Sequence, residues 1–93
     1  FEQAVRLYRQ AGNQRREAVS LNNIGAVYSS LGQKQQALDY YNQALPILQA
    51  VGDRGGEAAT LNNIGLVYDD LGQKQKALDY YNQALPLIQA VGD

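Results

Sequence analysis

Shifted by 40 residues, the chain falls on itself. Residues 14–53 and 54–93 are identical at 29 of 40 positions, so Leu21 lies on Leu61, Tyr28 on Tyr68 and Pro46 on Pro86. The same shift lays Phe1 to Asn13 on Tyr41 to Asp53. Self-similarity at a period of 20–50 residues is the mark of a solenoid or array, in which each unit buries its apolar face on its neighbours. The chain therefore divides into the tail of one unit (1–13) and two full units (14–53 and 54–93). It begins at Phe1 rather than Met, and is read as a piece of a longer array.

Each unit reads as two helices. Gly32 and Gly72 follow apolar-periodic runs and look like helix stops. Gly52-Asp53 and Gly92-Asp93 end the second helix. Asp53 is placed to cap the next helix, and Asn13 stands at the same point one unit earlier. With the helix containing LNNIG as A and the one containing ALDYYNQAL as B, the expected spans are 1–11 (B), 14–31 (A), 34–51 (B), 54–71 (A) and 74–91 (B). The predicted fold is all-α, an antiparallel helix-pair solenoid of five helices in the order B-A-B-A-B.

Both helix types have an apolar face at 100° per residue. In the last unit, helix A turns Ala58, Leu61, Ile64, Gly65, Val67, Tyr68 and Leu71 to one side. Helix B does the same with Ala77, Leu78, Tyr80, Tyr81, Ala84, Leu85, Leu87, Ile88 and Val91. All of these are read as core. Pro46 and Pro86 fall within helix B, where a proline costs about 3 kcal/mol and strands the carbonyl four residues back. Each lies at the centre of the polar half, where water can satisfy that carbonyl. A kinked continuous helix is favoured over two short ones. Arg6 holds the equivalent place in the first unit, so the fold does not require the proline.

Composition narrows the chemistry. The chain has no cysteine and no histidine, and its formal net charge is −1. Thiolate nucleophiles, thiolate and imidazole metal sites and the commonest general base are therefore missing. Asp39, Asp79 and Glu57 form no convergent cluster in the pattern, and Gly55-Gly56 reads as a loosened helix start rather than a phosphate loop. No enzyme activity and no cofactor are expected. Seven tyrosines are present, but no basic stripe interleaves them, which disfavours nucleic acid. No apolar run is long enough for a membrane span and no signal-peptide pattern appears, so a cytoplasmic protein is expected.

The pattern resembles the tetratricopeptide repeat. Leu61 stands at that family's Trp place, Ile64-Gly65 at its Leu-Gly and Tyr68 at its Tyr. Gly72 fits the interhelix turn, and Ala77, Tyr81 and Ala84 the remaining places. The earlier unit supplies Leu21, Ile24, Gly25, Tyr28, Gly32, Ala37, Tyr41 and Ala44. The unit departs from the family in being longer than the usual ~34 residues, in having Leu for Trp, and in ending on Gly-Asp without the closing Pro. In these respects it is similar to the repeats of Leu-Gly-Asn spindle adaptors, and its paired Asn is similar to kinesin light chain. Similar long repeats occur in many bacterial signalling proteins.

The resemblance implies that the A helices line a concave surface, and hence a partner that is a protein or peptide. The face of helix A left over from the core holds Val19, Asn22, Asn23, Ala26, Ser29 and Ser30 in one unit. Its counterparts in the next are Ala59, Asn62, Asn63, Leu66, Asp69 and Asp70. Each set fills an arc of about 120°. The two full units differ at 11 places, four of them in this stripe, and both Asn are retained. An amide offers donors and an acceptor, so it can pair with any peptide backbone. The resemblance implies this role for Asn23 and Asn63 first, then for Asn22 and Asn62. Two alternatives stand beside it: Asn side chains that are simply solvated, or that bond to the adjacent unit. Asp69 and Asp70 favour a basic or amide-rich ligand segment. The second expectation is a self-associating module. The outer faces of 1–11 and 74–91 carry Tyr8, Leu85 and Ile88, and open ends of that kind favour stacking or exchange of helices between chains.

Overall fold

A computed structural model describes the backbone of residues 2–92 and the side chains of residues 10–89. Among the described residues there are four helices and no strand: α1 (Glu2–Ser30), α2 (Lys34–Val51), α3 (Arg54–Asp70) and α4 (Lys74–Gly92). The fold is an all-helical repeat solenoid. The second half of α1 and all of α3 are A-type helices, and α2 and α4 are B-type.

The expectation of five helices is corrected. The chain does not turn at Gly12-Asn13; α1 runs straight through both. The reason lies in the next unit, where the turn is made. There Gly52 takes the left-handed conformation (φ 72°), its N–H reaching the Gln49 carbonyl and that of Asp53 the Leu48 carbonyl. This is a Schellman closure, which a Cβ at the left-handed position would penalise. Asp53 Oδ1 then accepts from the Gly56 N–H at 2.9 Å, capping α3. A Cβ added at Gly56 would sit 2.7 Å from Asp53 Oδ2 and 2.9 Å from Leu48 Cδ2. The turn therefore needs glycine at 56. The first unit has Arg16 there, and Gln14 and Arg15 in place of Arg54 and Gly55. The side chain at 16 obstructs the turn, and three good helix formers carry the helix onward. Gly12 accordingly keeps a negative φ.

Gly32 and Gly72 end the A helices as expected, at φ 80° and 79°. In each case the glycine N–H and the following Gln N–H close onto the last turn, for example Gln33 onto the Tyr28 carbonyl at 2.9 Å. Both B helices run unbroken through their prolines, and Pro46 and Pro86 are exposed.

Within each unit the A and B helices meet through a glycine. Gly25 lies under the ring of Tyr41 and Gly65 under that of Tyr81, so closely that an added Cβ would stand 2.7 or 2.6 Å from a ring carbon. Each pair is completed by stacked tyrosines, Tyr28 on Tyr40 and Tyr68 on Tyr80, with ring centroids 5.4 and 5.5 Å apart. Between units, α2 packs on α3. Ala37, Leu38 and Tyr41 of α2 form one cluster with Ile64 and Val67 of α3. Full burial of a side chain such as Ile64 contributes about 1.5–3 kcal/mol.

The residues read as core divide by position. Ala58, Leu61, Ile64, Val67, Ala77 and Ala84 are buried. Leu71, Leu78, Leu85 and Ile88 are exposed. A helical wheel assigns a face, but no other described helix packs on the face of α4 that carries Leu78, Leu85 and Ile88, and Leu71 lies at the exposed end of α3. The side chains of Tyr8 and Val91 lie outside the described residues.

Candidate functional site

The stripe occupies adjacent helices, α1 and α3. On α1, Val19, Asn23, Ala26 and Ser30 are exposed, and Asn22 and Ser29 are half-buried. On α3, Ala59, Leu66, Asp69 and Asp70 are exposed, and Asn62 and Asn63 are half-buried.

The two Asn of the first unit lie in different surroundings. Asn22 reaches across to the next unit, its Nδ2 donating to Thr60 Oγ1 at 2.9 Å. Thr60 is fully buried. Its hydroxyl donates in turn to the Gly56 carbonyl one helical turn back, at 2.9 Å. The chain of bonds satisfies a buried hydroxyl and ties α1 to α3. Asn23, one residue on, is exposed and takes no part in it. Neither Asn23 nor Asn63 has a side-chain hydrogen bond to another described residue.

The far end of the stripe is charged and partly occupied. Lys34, at the start of α2, donates to the Ser29 carbonyl and to Ser29 Oγ, each at 3.1 Å. It also pairs with Asp70 Oδ2 at 3.0 Å. One ammonium thus joins the end of α1 to the end of α3 and offsets one of the two stripe carboxylates. Asp69 is left exposed beside it. The Tyr81 hydroxyl is pushed above its usual pKa of 10.0, first by burial and then by the charges of Asp69 and Asp70. At the other end, Gly12, Arg15, Arg16, Val19 and Ser20 line a shallow open hollow along α1. Arg15 Nε lies 3.4 Å from Asp53 Oδ2.

Thr60 and Lys34 were not singled out in the sequence, although both act at the stripe. The signal for Thr60 was a hydroxyl at the same place in both units, Ser20 and Thr60. What it lacked was a partner, which becomes apparent only when the register of α1 on α3 is known. Among the described residues no group of His, Cys, Asp and Glu could hold a metal ion, and no helix is long and apolar enough to cross a membrane.

No curated protein matches the chain. The family model described as tetratricopeptide repeat matches residues 1–50 and again 47–90. Two matches, together spanning nearly the whole chain, place this protein in the tetratricopeptide repeat family.

Proposed function

We propose that the chain is a non-catalytic scaffold that binds an extended or helical segment of a partner protein along the stripe formed by α1 and α3. Scaffolding of protein–protein contacts is the general role of the family. The finer reading is carried by one observation: the exposed amide of Asn23 and the half-buried amide of Asn63 stand at matching points of adjacent helices with no described partner. Amides so placed can bond a ligand backbone whatever its side chains. Around them Val19, Ala26, Ala59 and Leu66 offer apolar contact, and they vary between the units as selective positions would. Asp69 favours a basic or amide-rich segment at its end of the stripe. Asp70 adds less, since Lys34 already pairs with it. Asn22 is engaged with Thr60, and in this reading it holds the two helices in register. Asn62, its counterpart on α3, is left as a secondary contact.

An unbiased peptide-display selection against the chain, followed by calorimetry, tests the proposal. Replacing Asn23 and Asn63 together by Ala should weaken a selected peptide by about tenfold or more, roughly 1.4 kcal/mol, with helicity unchanged. Undiminished affinity in the double variant would sink the amide role.

A further inference from the structure

Thr60 works against its own helix. It is 0% exposed, and among the described residues no other polar side chain is buried. Its hydroxyl donates to the Gly56 carbonyl at 2.9 Å, a bond back to residue i−4 that slightly destabilises a helix and tends to bend it. Valine has nearly the same shape and would fill the site with no polar group to satisfy. What the hydroxyl adds is an acceptor. With its proton directed at Gly56, Oγ1 receives the Asn22 Nδ2 at 2.9 Å. Among the described residues this is the one side-chain pairing that joins α1 directly to α3. The apolar clusters that seat α3 on the first unit draw instead on α2, at Ala37, Leu38, Tyr41 and Leu45. The tie lies beside both candidate amides. Asn22 precedes Asn23 on α1, and Thr60 stands three residues before Asn63, hence next to it on the surface of α3. Joining 22 to 60 sets the rotation of α1 about its axis and its slide along α3, at the residues adjacent to the proposed contacts.

We propose that Thr60 is a positioning residue for the binding stripe: through Asn22 its hydroxyl holds Asn23 and Asn63 at the spacing that a partner's backbone requires. The inference rests on the reading of the stripe as a peptide groove. A ligand that bonds both amides at once binds more tightly when they already stand in place, because less ordering is left to the binding step. Thr60 itself is shut away from solvent. It cannot touch a ligand, so whatever it does to binding is transmitted through the α1–α3 tie.

The test uses a peptide enriched by display against the wild-type chain, with calorimetry on T60V, T60S, N22A and the T60V/N22A double variant. Circular dichroism checks that helicity is kept. T60V should weaken the peptide by about fivefold, and T60S, which keeps the hydroxyl, should stay within about twofold of wild type. N22A should match T60V, and the double variant should lose no more than either alone, since both changes remove one bond. A shifted urea midpoint in T60V with undiminished affinity would show a merely structural hydroxyl and overturn the inference. So would losses that add in the double variant. Should T60V lose helicity, undiminished affinity in N22A overturns it equally. The N23A/N63A variant, measured alongside, separates the two failures. If it weakens the peptide and T60V does not, only the positioning role falls. If it does not, the amide reading falls and this inference with it.

Discussion

Replacing Gly25 by Ala sets two opposed effects against each other at one atom. Alanine is the better helix former by about 1 kcal/mol, so on an open helix surface the change would stabilise. Here the new Cβ would stand 2.7 Å from Tyr41 Cε1, 2.9 Å from Cδ1 and 3.2 Å from Cζ. Ordinary contact begins near 3.4 Å, so the ring is about 0.7 Å too close. Overpacking of this kind costs about 1–3 kcal/mol. Tyr41 cannot retreat, because it is buried in one cluster with Ala37, Leu38, Ile64 and Val67. The upper part of that range therefore applies, and the net change should be a loss of about 1–2 kcal/mol. Gly65→Ala meets the same geometry at Tyr81, at 2.6 Å. Tyr81, however, is only half-buried at the open end of α4, and its ring has room to swing away. There the two effects should nearly cancel. Urea unfolding followed by circular dichroism should rank the proteins wild type ≈ G65A > G25A. In a thermal melt the gap is about 4–8 °C per kcal/mol for a domain of this size. A G25A variant as stable as wild type would refute the claim that Tyr41 is pinned. A G65A loss equal to that of G25A would refute the claim that Tyr81 is free.

Three further outcomes follow from the same packing. Asn22→Ala should cost about 1 kcal/mol by removing the bond to Thr60, whereas Asn23→Ala should leave stability within about 0.5 kcal/mol; urea midpoints compare them. Gly56→Ala should destabilise despite alanine's higher helix propensity, because its Cβ would meet Leu48 and Asp53; a thermal melt above that of wild type would contradict this. Burial raises the Tyr41 hydroxyl above its usual 10.0. The folded chain thus holds that proton more tightly than the unfolded one, and the resulting stability is intact below about pH 10 and lost as pH rises beyond it. Tyr41→Phe should flatten the alkaline fall in stability, and an unchanged pH profile would rule out Tyr41 as its source.

How much of this could be read from the sequence differs from feature to feature. The repeat, its helix faces and the Gly52-Asp53 turn were legible because each is a local or periodic pattern. The continuity of α1 was not. Gly12-Asn13 resembles Gly52-Asp53, and what separates them lies further on, at residue 56, where a Cβ would crowd Leu48 and Asp53, a contact in space, and where the earlier unit carries Arg16. The stripe was legible as an arc on a wheel, but the split between Asn22 and Asn23 was not. It depends on the register of α1 on α3, which brings together residues 38 apart. Nor could a wheel separate Leu38 from Leu78. The two have the same neighbours in sequence, and they differ only in whether another helix lies on them.

The central claim is that the α1–α3 stripe, and no other surface, receives the partner. Backbone amide shifts of the chain, recorded while a selected peptide is titrated in, test this most directly. The account predicts changes concentrated at Asn23, Ala26, Asn63, Leu66 and Asp69, with α2 and α4 little affected. Changes centred instead on the outer faces of α2 and α4, or on the end faces at Val27 and Leu78, would contradict it.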